Sequence, residues 1–154
     1  MYTKQEASKQ RQAFWTAFGQ YMRPVIPADE VKTNWINYKT GIPGIYFKMD
    51  AGNDMASIAI ALTQNHLGTQ QHYYEQFSRL KSVLHEMLGE EWNWQPGVED
   101  EHDKIISKIG KELHHVNIGR NEDWPALISF FKPRIIALDA FWSMAKYSFE
   151  TPAS

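Results

Sequence analysis

Cysteine is absent from all 154 residues. That excludes disulfides, thiolate nucleophiles and Cys-ligated zinc or iron–sulfur centres. Long apolar runs are missing too: no stretch approaches the roughly 18 apolar residues of a membrane span. The opening Met1-Tyr2-Thr3-Lys4-Gln5-Glu6 has no apolar segment of the kind a secretory signal carries. A cytoplasmic protein with no membrane partner is the expectation. The chain also lacks Gly-x-Ser-x-Gly, Gly-x-Gly-x-x-Gly and the Gly-Lys-Ser/Thr phosphate loop. A hydrolase elbow, a dinucleotide fold and a nucleotidase are therefore without support. No motif fixes a reaction, and no cofactor is expected.

What is present describes a globular domain. The residues are 43% hydrophobic and 14% aromatic, too aromatic for a disordered chain, and a chain of this length can bury enough surface for one core. We read residues 1–154 as a single domain, since no repeat, low-complexity tract or linker interrupts them. The net charge of −2 is unevenly spread. Residues 1–50 carry seven Lys/Arg against four Asp/Glu, 51–123 carry six against twelve, and 124–154 carry three against two. Such a balance gives no whole-protein footprint of nucleic-acid binding, so any contact with a polyanion has to be local.

Hydrophobic periodicity organises the chain. Thr3 and Glu6 form a capping box, and Ala7, Phe14, Trp15, Phe18 and Met22 follow at helical spacing up to Pro24 and Pro27. The period then changes to two. Ile36 and Tyr38 alternate with Trp35, Asn37 and Lys39; Ile45, Phe47 and Met49 alternate with Tyr46 and Lys48; Ala56, Ile58, Ile60 and Leu62 alternate with Ser57, Ala59 and Ala61. Turns at residues 41–44 and 51–54 would join these as an antiparallel meander. Tyr73, Phe77, Leu80, Leu84, Met87 and Leu88 make the stripe of one helix, closed by Gly89. A short strand at residues 92–94, an acidic loop from Pro96 to Asp103, a strand from Ile105 to Ile109 and a weakly patterned one at 113–118 come next. Asp123 caps the last helix, Pro125 sits in its first turn, and Pro133 should kink it or divide it in two. Thr151 to Ser154 reads as a frayed end. The expected architecture is α+β in the order α-β-β-β-α-β-β-α, an antiparallel sheet with helices mainly on one face.

Three charged clusters invite a catalytic reading and fail it. Glu30-Val31-Lys32 matches half of a metal-dependent nuclease site, but it follows two prolines and reads as an exposed loop. Glu112 and His115 have di-iron spacing in a single copy, where such a site needs facing helices. The run Glu99-Asp100-Glu101-His102-Asp103 lacks the glycine-centred alternation of a calcium loop. The strand register offers something else. If Tyr38 pairs with Phe47 and Ile36 with Met49, while Phe47 meets Ile58 and Ile45 meets Ile60, the apolar side chains share one face. Trp35, Asn37, Lys39, Tyr46 and Lys48 then share the other, beside the small Ser57, Ala59 and Ala61. Aromatic rings interleaved with bases suit single-stranded nucleic acid, with rings stacking bases and Lys neutralising phosphate.

Arg11-Gln12-Ala13-Phe14-Trp15-Thr16-Ala17-Phe18, Asn34-Trp35 through Gly44-Ile45-Tyr46, Leu88-Gly89-Glu90-Glu91-Trp92, and Asp123-Trp124-Pro125 through Asp139-Ala140-Phe141-Trp142 resemble the bacterial family called domain of unknown function 4268. The resemblance covers nearly the whole chain and rests on Trp and apolar positions. Members are carried at the C-terminus of longer proteins with a nuclease-like N-terminal part, so the resemblance implies association with DNA processing and supplies no catalytic residues. The function expected is a non-enzymatic binding or accessory module whose partner is single-stranded nucleic acid or a protein. A metal-dependent nuclease and a homo-oligomeric structural protein are the alternatives.

Overall fold

The computed structural model describes residues 3–150. The first helix, α1 (Lys4–Met22), opens as the capping box requires: Thr3 Oγ1 accepts from the Glu6 N–H at 3.1 Å, and the Thr3 N–H donates to the Glu6 carboxylate at 3.3 Å. Strands β1 (Ile45–Ala51) and β2 (Met55–Leu62) form a hairpin, followed by α2 (Leu67–Arg79) and α3 (Lys81–Leu88). A second hairpin, β3 (Asn93–Glu99) and β4 (Ile105–His114), leads through a short 3-10 turn into α4 (Trp124–Phe149). All pairings are antiparallel, and the sheet order is β1-β2-β4-β3. The fold is α+β. Among the described residues no helix is long and apolar enough to cross a membrane.

The inner sheet face carries Ile45, Phe47, Ile58, Ile60, Leu62 and Ile109. These join Phe14 and Phe18 of α1, Phe77 of α2, Leu84 of α3, and Phe131, Leu138, Phe141 and Trp142 of α4 in one buried cluster. Burying a side chain of this size contributes roughly 1.5–3 kcal/mol, so the helices are held to that face by apolar area. Polar ties finish the packing: Arg134 of α4 makes a bidentate pair with Glu90 at 2.8 and 2.9 Å. Burial pushes the Glu90 carboxyl pKa up, but the hydrogen bonds from Arg134 and Trp92 outweigh it and hold the group below its usual value.

Several expectations are corrected. No strand forms at 35–39; those residues make turns, because Asn34 Oδ1 accepts from the Ile36 and Asn37 N–H groups, both at 3.1 Å. A side chain that satisfies two backbone donors locally removes them from any ladder. The β1–β2 hairpin closes one pair later than expected, with the Gly52 N–H on the Met55 carbonyl at 2.8 Å, so Phe47 faces Ile60 and Ile45 faces Leu62. A slip of two preserves both faces, whereas a slip of one would invert them. Residues 105–114 are one strand, and β3 runs on through Pro96 and Gly97 by a bulge with Gly97 at φ 61°.

The single helix expected before Gly89 is broken at Leu80, although the stretch holds no proline or inner glycine that would account for it. Pro133 does not divide α4. It sits on the exposed side, one turn after the solvent-facing Ser129, while Phe131 and Ile135 on either side are fully buried. The lost hydrogen bond thus falls where water can reach the freed carbonyl. Asp123 stands at the cap position, yet its carboxylate accepts from the Asn117 N–H at 2.9 Å rather than from the helix. The end assigned to Thr151–Ser154 lies outside the described residues.

Candidate functional site

Two surfaces hold four of the five residues singled out in the sequence, and Asn37 lies on neither. The first is the outer face of the sheet, where β1, β2 and β4 build three rows. Tyr46, Ala61 and Lys108 make the first row, with Gln95 of β3 beyond them. Lys48, Ala59, Gly110 and Asn93 make the second, and Asp50, Ser57 and Glu112 the third. Tyr46 is 48% exposed, and the Lys48 ammonium lies 5.6 Å from its ring centre. Gly110 eases a tight spot: a Cβ there would come within 3.1 Å of both the Ala59 Cβ and the Ile58 carbonyl. Its absence leaves a depression of about 430 Å3 over the middle of the face, bordered by Ser57, Asn93, Gln95, Lys108 and Glu112.

Only Tyr46 and Lys48 of the expected set lie on that face. Trp35 is 4% exposed and belongs to the core, with its ring 6.3 Å from that of Tyr38. Asn37 and Lys39 are exposed on the irregular segment before β1 and never join the sheet. The cause is the missing strand: without a ladder at 35–39, alternation there does not sort side chains by sheet face. Lys108, Asn93 and Gln95 extend the face on the other side, beyond β2, while the edge of β1 where 35–39 was expected pairs with no strand. Their alternation was readable within their own strands, but the β2–β4 pairing that brings them beside Ala59 and Ala61 is not local.

The second surface is a groove of about 860 Å3 between α1, the segment 25–40 and the last turns of α4. Trp35 and Lys39 line it, together with Trp15, Tyr38, Arg23, Lys32 and Lys146. One wall is tied to α4. Asp139, 3% exposed, accepts from the Tyr38 hydroxyl at 2.5 Å and from the Ala28 N–H at 2.8 Å. Trp142 Nε1 donates to the Thr40 carbonyl at 2.7 Å. Burial first, then the hydrogen bond to Asp139 and its charge, hold the Tyr38 pKa far above the usual tyrosine range. Its hydroxyl remains a donor wherever lysine is charged. On the α1 side, Gly19 admits Ile36 so closely that a Cβ would come within 2.9 Å of Ile36 Cδ1.

The charged clusters do not assemble a reactive centre. Glu30 and Lys32 are exposed, with Glu30 in the left-handed region at φ 61°. Glu112 is exposed on β4, and His115 lies just past its end. In the acidic loop, Asp100 Oδ1 accepts from the backbone of Lys104 at 3.0 Å and His102 at 2.8 Å; these bonds pull its pKa below the usual value. The carboxylate is thus engaged in shaping the turn. Among the described residues no group of three or more Asp, Glu or His could hold a metal ion.

A family model described as "Domain of unknown function (DUF4268)" matches residues 10–146. No curated protein and no solved structure matches the chain.

Proposed function

Since the chain belongs to the DUF4268 family, whose description specifies no chemistry, we propose that residues 1–154 act as one non-enzymatic binding module in the cytoplasm, its partner a single strand of nucleic acid. The contact surface is the outer sheet face, with Tyr46 as the stacking ring and Lys48 and Lys108 as phosphate partners. One observation carries the reading: Tyr46 stands exposed beside Lys48 on a face left bare by the helices, next to a floor of Ala59 and Gly110. A flat platform of this kind accepts a chain running across it, and small floor residues let bases approach the backbone. Asp50 and Glu112 occupy the third row, so the strand crosses the first two and is repelled from the third.

Two lysines neutralise two phosphates, which makes the binding weak and sensitive to salt. The slope of log affinity against log salt is expected near −1.4, from about −0.7 per phosphate for single strands. Anisotropy titrations of a labelled oligonucleotide at several salt concentrations measure it. No binding at low salt would contradict the reading. So would a dimer in solution whose interface covers Tyr46.

A further inference from the structure

We infer that the groove between α1, the segment 25–40 and α4 is a second binding site, separate from the sheet face, that takes a free nucleotide: a flat aromatic ring carrying phosphate. Its volume of about 860 Å3 falls in the ordinary range for small-molecule sites, roughly 300–1,000 Å3. The shape rules against a running strand. From Trp15 to Arg23 the α1 wall advances eight residues, about 12 Å at 1.5 Å per residue, and α4 contributes only Trp142 to Lys146. A ligand of one or two nucleotide units fits that length.

Charge identifies the polar half of the ligand. Arg23, Lys32, Lys39 and Lys146 line the groove against a single lining acid, Asp29. None of the four makes an ion pair among the described residues. The Asp139 carboxylate behind the wall keeps its negative charge while it accepts from the Ala28 N–H and the Tyr38 hydroxyl, so four cations still stand against two acids. Four unpaired cations in a concavity, in a chain whose net charge is −2, exceed what a single carboxylate needs and match the multiple charges of phosphate or diphosphate.

The rest of the lining identifies the other half. Trp15, Val25, Ile36 and Tyr38 give an apolar, partly aromatic wall, the surface on which a base packs. Thr16, Gln20, Asn34 and Ser143 supply hydrogen-bonding groups beside it. The site is built before the ligand arrives. Asp139 and Trp142 fix the 25–40 wall through three hydrogen bonds, so little ordering is left for binding to impose.

Isothermal titration with AMP and ADP, with adenosine and pyrophosphate as controls, tests the site on the full chain without added metal. ADP is expected to bind more tightly than AMP, and both more tightly than adenosine or pyrophosphate. Lys39→Ala should weaken ADP about tenfold or more, the value of one charge-assisted hydrogen bond. Lys32→Ala/Lys39→Ala should weaken it further, while Tyr46→Ala should leave it unchanged. Arg23, Lys32 and Lys39 are exposed and unpaired, and near-ultraviolet circular dichroism verifies that the variants fold. No nucleotide binding at millimolar concentration, or binding indifferent to these cations, would overturn the proposal. Pyrophosphate binding as tightly as ADP would overturn the aromatic half. Displacement of ADP by a single-stranded oligonucleotide whose own binding survives Tyr46→Ala would overturn the separation of the two sites.

Discussion

The sheet face and the groove invert each other's properties. The face is open and shallow, carries one exposed ring, and sets Lys48 and Lys108 against Asp50 and Glu112. The groove is concave, is walled by several rings, and sets four cations against one lining acid. Shape and charge therefore favour different ligands: an open platform suits a polymer that continues beyond its edges, and a short cationic cleft suits a small anion. Rings also differ in what they do. Tyr46 stands free to stack, whereas Trp35 and Trp142 are buried in the core.

The largest expected effect separates those two kinds of ring. Trp35→Ala truncates a buried side chain and should lower stability by about 3–5 kcal/mol, read from urea denaturation. Tyr46→Ala should move stability by no more than about 0.5 kcal/mol. A Trp35 variant as stable as the parent would return Trp35 to the surface and reopen the sheet face as first expected.

Next in size is the tie behind the groove. Asp139→Ala leaves the Tyr38 hydroxyl and the Ala28 N–H without an acceptor, and should cost at least about 1.5–3 kcal/mol. It should also loosen residues 25–40 in hydrogen exchange while β1 and β2 keep their protection. Equal loss of protection in the hairpin would mean that wall and sheet are not distinct units.

A smaller effect belongs to the partly exposed Glu90–Arg134 pair. Glu90 has a lowered pKa in the folded chain, so its contribution is present above the unfolded value, about 4.3, and is lost as pH falls through the lower folded value. Glu90→Gln should remove part of the stability lost in that acid window. A variant with an unchanged acid profile would show that the pair contributes nothing. The smallest effects are on the face: Lys48→Ala and Lys108→Ala should each flatten the salt slope of oligonucleotide binding by about 0.7, with no change in ADP binding.

Much of the fold was legible because it is written in local chemistry. The Thr3–Glu6 box starts α1, and Gly89 ends α3 in the left-handed region at φ 72°. The two-residue period of 45–49 and 56–62 sorted inner from outer side chains correctly even though the hairpin register was off by two. The same period misled at 35–39, because alternation cannot reveal that Asn34 will bond to the backbone ahead of it. Of the candidate site, Tyr46 and Lys48 were legible for the same reason that their strand was. The groove was not. Its four cations come from α1, the irregular segment and α4, and only the packing of α1 and α4 around Phe14, Phe18 and Phe131 brings them together.

One comparison decides whether the two surfaces take different ligands. A labelled single-stranded oligonucleotide is titrated at low salt into the parent chain, Tyr46→Ala, and Lys32→Ala/Lys39→Ala. Stacking on Tyr46 predicts a loss of about 1–3 kcal/mol for the first variant and a change within about twofold for the second. The reverse result, a strand released by the groove substitutions and indifferent to Tyr46, would contradict it.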